Sequence, residues 1–221
     1  MLCILQARMS SKRLPGKVLK IIGEQILLEC VISRLSLSKK ISKIVIATSN
    51  KKSDKKIINF CKSKNLDFKV GSLNDVASRF IGVIKKSKSK YFIRISADSP
   101  LIDPFLIDKM INQSKKSDFD IFTNVFPRTF PKGQSIEIIS SKTFLSNYKY
   151  FKKIDKEHIT RYFYKHYKNF KIINYRNYKN LSNINMCIDK RKDLKKFENF
   201  FLKYSFSRLL KKKYQYLVKI F

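Results

Sequence analysis

Apolar and polar positions follow two rhythms along the chain. Short apolar runs of strand length are separated by stretches in which apolar residues recur with a helical period. This alternation is typical of a parallel sheet covered by helices. In the first half it predicts strands at 2–5, 43–47, 68–70 and 91–95, and helices at 25–36, 53–63, 74–86 and 104–116.

The rhythm changes after about residue 116. Strands are predicted at 120–123, 135–139, 170–175 and 184–188, and helices at 142–150, 156–167, 190–203 and 205–219. Asp103 followed by Pro104 predicts a helix start, because Asp is a good N-cap and proline suits the first helical position. No repeat, low-complexity tract or linker divides the chain, so we expect a single domain over residues 1–221.

The chain is strongly basic. Its 221 residues include 49 Lys and Arg against 16 Asp and Glu, a net charge of +33, and such an excess can bind nucleic acid. Only ten of the 49 are arginines, however, and the lysines accompany abundant Ile, Asn, Phe and Tyr, whose codons are all AT-rich. Genome composition therefore accounts for much of the lysine, and a nucleic-acid partner is the less favoured interpretation.

The four cysteines form no C-x-x-C pair, so neither a zinc site nor a disulfide framework is indicated. The apolar start, Met1 to Leu5, is interrupted by Gln6 and Arg8 before a secretory signal could form. No window approaches the roughly 18 apolar residues of a membrane helix. We expect a cytoplasmic protein with no membrane partner.

The segment after the first strand is the first candidate for chemistry. Arg8, Arg13 and Lys17 follow the carboxyl end of that strand, where open α/β sheets bind ligands, and could wrap a triphosphate. With five glycines in all, the chain has neither of the usual glycine-rich phosphate loops. The alternative is a solvated basic loop.

Two acidic residues stand out. Asp98 ends a predicted strand, and because Asp103 already supplies the helix cap, Asp98 is free to hold Mg²⁺ against a triphosphate. The alternative is a local Asx turn. Glu137 alternates with Ile136 and Ile138, so it faces away from one buried side and either binds substrate hydroxyls or is solvated.

The motifs resemble those of a known family. The blocks QARMSSKRLPGK (6–17) and RISADSPLIDP (94–104) are specific, and weaker blocks follow the same order: IATS at 46–49, GS with DV and RF at 71–80, TFPKG at 129–133, EHIT at 157–160 and ID with DL at 188–194. Together they resemble, over about residues 2–200, the sugar-acid cytidylyltransferases. The resemblance is to the spore-coat polysaccharide biosynthesis protein F branch in particular.

This resemblance implies a three-layer, Rossmann-like α/β fold of the nucleotide-diphospho-sugar transferase type, with a mostly parallel sheet between two helical layers. Residues 1–124 would bind the nucleotide, 125–188 would bind the sugar and could provide a dimer interface, and 189–221 would form C-terminal helices. The implied reaction transfers CMP from CTP to a sugar acid, with release of pyrophosphate, for a surface polysaccharide or glycan. A homodimer is expected by the same analogy.

The resemblance also implies roles for single residues. Arg8, Lys17 and Asp98 would be catalytic. The nucleotide would be bound by these three together with Ala7, Ser11, Arg13, Asp75 and Arg79. The sugar acid would be bound by Arg94, Glu137, Glu157 and His158. Mg²⁺, for which Mn²⁺ can substitute, would be held by Asp98 and Asp189.

Several assignments have alternatives. Asp189 could instead cap the helix at 190–203, and His158 could be structural or act as a general base. Lys132 and Ser135 stand where many relatives carry acidic residues, which leaves the identity of the sugar open.

Other functions also fit the resemblance or the charge. A sugar-phosphate nucleotidyltransferase or a glycosyltransferase would share the fold. The latter usually needs a D-x-D motif, and the one present here, Asp118-Phe119-Asp120, precedes a predicted strand rather than following one. A nucleic-acid-binding module would leave Arg8, Lys17 and Asp98 unexplained.

Overall fold

A seven-stranded sheet organises the computed structural model, which describes residues 1–221. The chain's nine strands are β1 (Leu2–Gln6), β2 (Ile21–Ile22), β3 (Gln25–Ile26), β4 (Lys43–Ser49), β5 (Phe68–Gly71), β6 (Tyr91–Ser96), β7 (Ile121–Thr123), β8 (Glu137–Ser140) and β9 (Ile172–Asn174). Two of them, β2 and β3, form a separate hairpin, and the other seven form this sheet. The sheet order is β5-β4-β1-β6-β8-β7-β9, and only β8 runs against the others. The predicted α/β class with a mostly parallel sheet is confirmed.

Ten α-helices surround the sheet. They are α1 (Leu27–Leu35), α2 (Lys55–Ser63), α3 (Val76–Ser87), α4 (Pro104–Ser114), α5 (Ser141–Asn147), α6 (Lys153–Glu157), α7 (Arg161–Lys165), α8 (Arg191–Lys203), α9 (Phe206–Leu209) and α10 (Tyr214–Ile220). The predicted start of α4 is confirmed, since the Asp103 carboxylate accepts the Phe105 and Leu106 N–H groups. None of the helices is both long and apolar enough to cross a membrane.

Both faces of the sheet are buried, which explains the continuous apolar runs of its strands. In β1, Cys3 and Leu5 pack into one apolar cluster, with α1, α2 and α4, while Leu2 and Ile4 pack into another with α3, α5 and α7. A third cluster joins α8 and α10 to the segment around β2 and β3. The C-terminal helices are therefore part of the packed molecule.

The structure corrects four predicted elements. The helix predicted at 156–167 is interrupted at 158–160 and forms α6 and α7. The helix predicted at 205–219 is interrupted between α9 and α10. The short hairpin β2–β3 was not predicted as strands, and its residues 25 and 26 were assigned to a helix.

The fourth correction concerns residues 184–188, which form no strand. This segment instead makes single backbone bonds to two loops, from Lys132 N to Ile184 O, from Met186 N to Lys132 O and from Ile188 N to Asp98 O. The loop bends at Gly133, whose φ is 98°, and a side chain there would lie 2.3 Å from the Met186 carbonyl oxygen. The close approach brings the far end of the chain to the end of β6.

Candidate active site

The loop after β1 is held in an arch by backbone contacts. Gly16 N donates to Met9 O (2.8 Å), and Met9 N donates to the Asp54 carboxylate (2.8 Å). Asp54 is fully buried and also accepts the Ser49 hydroxyl. Asp54 was predicted only as part of a helix start, yet its carboxylate binds the backbone of the loop at Met9.

Lys17 lies at the centre of the site. Its side chain is largely buried, and its Nζ donates to Asp98 Oδ2 (2.9 Å), Asp189 Oδ1 (3.0 Å) and the Ile188 carbonyl oxygen (2.8 Å). Burial alone would lower the pKa of Lys17, but the two carboxylates raise it above its ordinary value. All three N–H bonds of the ammonium are therefore used within the protein.

Asp189 is brought beside Asp98 as the resemblance implied. Partial burial opposes its ionisation, but the bonds from Lys17 and Arg13 lower the pKa of Asp189. The alternative role as helix cap is wrong, because the Asp193 carboxylate accepts the N–H groups of Asp189 and Lys190. Asp193 thereby leaves the Asp189 carboxylate free to face Lys17.

The two carboxylates fit a divalent cation. Asp98, Asp189 and the Ile188 carbonyl all contact one ammonium nitrogen, so their oxygens converge on a single point. Oxygen donors of this kind suit Mg²⁺, which usually takes one or two carboxylates and completes its shell with water and substrate phosphates. No group of three or more acidic, His or Cys side chains converges anywhere in the protein, so phosphates and water would have to supply the remaining ligands.

Arg8 and Arg79 form a second cationic group near the loop. The Arg8 guanidinium pairs with Glu157 (Nη2 to Oε1, 2.9 Å), and this bond lowers the pKa of Glu157. Arg79 is 1% exposed, and none of its three guanidinium nitrogens has a partner. Burial, followed by the nearby charge of Arg8, lowers the pKa of Arg79 to about 10. A buried cation without a partner is costly, which points to an absent anionic or carbonyl-bearing ligand.

Three other residues assigned to the nucleotide have structural bonds. Asp75 caps α3 by accepting Ser78 N, and its second oxygen accepts the Tyr148 hydroxyl (2.6 Å). Ser11 Oγ accepts Leu14 N (3.4 Å), and Ala7 N donates to Ala47 O. Their nucleotide contacts stay predictions, and any contact made by Ala7 would not use its N–H group.

The structure contains a cavity of about 580 Å³ that is lined mainly by polar side chains. Arg94 and Glu137 meet on its floor, because β6 and β8 pair them directly. Glu137 is 1% exposed and also accepts the Tyr164 hydroxyl (2.6 Å), so the expectation of a solvated Glu137 is wrong. Burial would lower the pKa of Arg94, but the Glu137 carboxylate raises it.

Two further residues of the predicted sugar site lie at this cavity or next to it. His158 is exposed and lines the cavity at the interruption between α6 and α7. Glu157 lies outside the lining and is occupied by Arg8. The structure therefore brings Arg94, Glu137 and His158 together around one cavity, while Glu157 belongs to the loop side.

The cavity also contains residues that sequence reasoning missed. Arg128, Arg161 and Lys165 line it, and they give it more positive charge than Arg94 alone supplies. Arg128 and Arg161 each stand next to a predicted block, but nothing in their spacing marked them.

The cationic loop after β1 can bind phosphates, and a pair of carboxylates lies at the same edge of the sheet. These two features on an α/β fold are those expected of a nucleotidyltransferase. The comparisons with known proteins agree. A family model described as cytidylyltransferase matches residues 2–220. The chain belongs to this family of CTP-dependent nucleotidyltransferases.

Three relatives illustrate the likeness. The spore coat polysaccharide biosynthesis protein SpsF of Bacillus subtilis is 34% identical over 75% of this chain and 70% of its own length. A 3-deoxy-manno-octulosonate cytidylyltransferase of Solibacter usitatus is 29% identical over 49% of this chain and 42% of its own. A cytidylyltransferase structure from Leptospira borgpetersenii has a TM-score of 0.89 at 28% identity, covering 99% of this chain and 92% of that one. The chain spans about two thirds of the length of the first curated relatives it matches.

Proposed function

We propose that this protein transfers CMP from CTP to a sugar acid, with release of pyrophosphate, in the synthesis of a surface polysaccharide or glycan. The observation that carries the proposal is the convergence of Asp98 and Asp189 on Lys17. The unpartnered guanidinium of Arg79 and the cationic cavity support it. The names of the Bacillus and Solibacter relatives support the polysaccharide role and the sugar acid.

In the proposed reaction a hydroxyl oxygen of the sugar acid attacks the α-phosphorus of CTP. The new P–O bond forms as the bond to the β-phosphate oxygen breaks, pyrophosphate leaves, and the hydroxyl proton passes to solvent. Arg8, Arg13 and Lys17 would hold the phosphates and stabilise the charge that develops on the leaving group. Lys17 must first release at least one present acceptor, because all of its N–H bonds are used.

Asp98 and Asp189 would hold Mg²⁺, or Mn²⁺ in its place. When bound, the cation would neutralise the triphosphate and favour approach of the attacking oxygen. Arg79 would donate to the nucleotide from its buried position. Arg94, Glu137 and His158 would orient the acceptor in the cavity, which is large enough for a monosaccharide acid.

A pyrophosphate-release assay tests the proposal. The protein would be incubated with CTP, Mg²⁺ and a panel of eight- and nine-carbon ulosonic acids, with UTP, GTP and ATP as controls. We expect release with CTP and at least one acid, and a loss of about 10²-fold or more in kcat for Asp98→Asn at unchanged thermal stability. No release with any acid, or normal turnover by Asp98→Asn, would contradict the proposal.

The glycosyltransferase alternative has little support at its expected motif. The Asp120 carboxylate accepts the Thr143 hydroxyl and Lys171 N, so it ties β7 to its neighbours rather than facing the site. Thermal-shift measurements with CTP, UTP, GTP and CMP-sugars would separate the remaining nucleotide-sugar enzymes. Homodimerisation through residues 125–188 stays a prediction, and light scattering of the purified protein would test it.

A further inference from the structure

Among the arginines that line the cavity, Arg128 is the one without an ion pair. Arg94 is paired with Glu137, and Arg161 is paired with Asp155 (Nη1 to Oδ1, 2.6 Å). Glu137 forms hydrogen bonds with Arg94 and Tyr164 but none with Arg128. Arg128 forms no ion pair, and its Nη1 is buried without any hydrogen-bond partner.

The position of Arg128 is fixed before any ligand arrives. Its Nη2 donates to Ser135 Oγ (3.0 Å), and its backbone bridges to Val125 across a tight turn. The turn is anchored by Phe126, whose ring stacks on Tyr164 with centroids 4.6 Å apart. Asn174 binds the same turn from the other side, at Phe126 N and Pro127 O. A guanidinium held in this way loses little conformational entropy on binding.

Burial lowers the pKa of Arg128, and the nearby charge of Glu137 opposes this only in part. A buried N–H group with no acceptor costs free energy until a ligand supplies one. A planar guanidinium edge matches a planar carboxylate, with which it can form two parallel hydrogen bonds. The neighbouring arginines Arg94 and Arg161 are already paired with carboxylates, and Lys165 is exposed to solvent. Arg128 is therefore the partly buried charge left for an anionic group of a ligand.

We infer that Arg128 binds the carboxylate of the acceptor and selects sugar acids over their neutral counterparts. This inference rests on the proposed function and identifies the carboxylate as the group of the acceptor that the cavity recognises. A sugar phosphate would be placed differently, because its phosphate is the nucleophile and would lie beside Asp98 and Lys17. Ser135 has a part in the selection, since an acidic side chain at 135 would neutralise Arg128.

Two variants test the inference in complementary ways. Arg128→Gln removes the charge, and Ser135→Asp keeps the arginine but gives it an internal carboxylate. Arg208→Gln, at an exposed position on α9, is the control. Calorimetry would measure binding of 3-deoxy-manno-octulosonate, N-acetylneuraminate and their methyl esters to protein saturated with α,β-methylene-CTP. The same experiment would measure the affinity for the CTP analogue.

For acids bound by the unsubstituted protein, we expect Kd to rise about 10- to 100-fold in Arg128→Gln and Ser135→Asp, as befits loss of a charged hydrogen bond. The methyl esters should bind weakly to every variant, and the affinity for the CTP analogue should not change. Equal acid affinity in the variants, equal affinity for the esters, or no binding of any acid would overturn the inference. The pyrophosphate-release assay tests the proposed function separately from these binding measurements. Release with sugar phosphates but with no sugar acid would contradict the proposed function.

Discussion

At the scale of single residues, Arg79 shows how a binding site lowers the stability of the free protein. Its guanidinium is buried beside Arg8 and has no hydrogen-bond partner. We expect Arg79→Met, which keeps the packing but removes the charge, to raise the free energy of unfolding by about 1–2 kcal/mol. The same change should weaken CTP binding at least about tenfold, because a charged donor is lost.

Urea unfolding and calorimetric CTP titration would measure the two effects of Arg79→Met. The exposed Arg191→Met is a suitable control, since it should alter neither quantity. A fall in stability together with unchanged CTP affinity would show that Arg79 is a structural residue with partners in solution.

Lys17 provides a second prediction at this scale. Its ammonium contacts Asp98 and Asp189, the two residues proposed to hold the metal, so it would compete with a divalent cation until phosphates draw it away. We expect Lys17→Met to bind Mn²⁺ about tenfold more tightly than the unsubstituted protein in the absence of nucleotide, since Asp98 then has no paired cation and Asp189 keeps only Arg13.

Electron paramagnetic resonance of free Mn²⁺ would follow that binding without any need for turnover. Lys12→Met removes an exposed charge of the same loop and is the matched control. Weaker Mn²⁺ binding in Lys17→Met would mean that the carboxylates do not form the metal site.

The sequence was informative where a residue's position along one strand decides its role. Lys17 and Asp98 were both assigned to the site from the sequence and are in contact, whereas Arg8, assigned to the same site, pairs with Glu157. The Arg94–Glu137 pair was not predicted, because it depends on the register between β6 and β8. Arg128 was missed for a similar reason, since its place in the cavity depends on contacts between residues distant in the sequence, such as the stacking of Phe126 on Tyr164.

At the scale of elements, Arg34 decides how the C-terminal helices are attached. It is fully buried on α1 and donates to four carbonyl oxygens, those of Ile102, Leu209, Leu210 and Lys212. Leu209 ends α9, and Leu210 and Lys212 follow it before α10, where the predicted continuous helix is interrupted. The guanidinium binds these carbonyls at the interruption, and nothing in the local sequence signals this long-range contact.

We therefore expect Arg34→Met to destabilise the protein by about 3–5 kcal/mol, because several buried carbonyls lose a charged donor at once. Arg79→Met is the matched comparison, since both arginines are buried and have a pKa lowered to about 10. Urea unfolding and hydrogen exchange of α9 and α10 would measure the effect. A loss of less than about 1 kcal/mol, or unchanged protection of α10, would contradict this role.

Element boundaries were predictable when local signals agreed with packing. The Asp103-Pro104 signal placed the start of α4 correctly, and the amphipathic pattern placed α8. The helix predicted at 156–167 was wrong because the Asp155 carboxylate binds Lys152 N and reaches forward to Arg161. This contact accompanies the interruption that presents His158 to the cavity, so the departure from the local pattern lies at the proposed site.

At the scale of the whole molecule, the net charge of +33 is only partly assigned. Arg8, Arg13 and Lys17 have roles in the proposed site, and Arg79 and Arg128 are proposed to bind the two substrates. Most lysines have no carboxylate partner, because 49 basic residues face 16 acidic ones. Repulsion among these surface charges opposes the compact state and weakens as salt screens it.

We therefore expect the melting temperature to rise by several degrees between about 0.05 and 0.5 M NaCl, because the Debye length shortens several-fold over that range. Scanning calorimetry would measure the rise, and an uncharged osmolyte at matched osmolality would separate screening from solvent exclusion.

The same salt series distinguishes RNA from CTP as the partner of the positive charge. Adventitious RNA binding should fall steeply with salt, whereas CTP binding should persist, because Arg79 and Lys17 are buried and screened much less. A melting temperature that falls with NaCl, or RNA binding that persists at about 0.5 M, would favour a protein built around a polynucleotide.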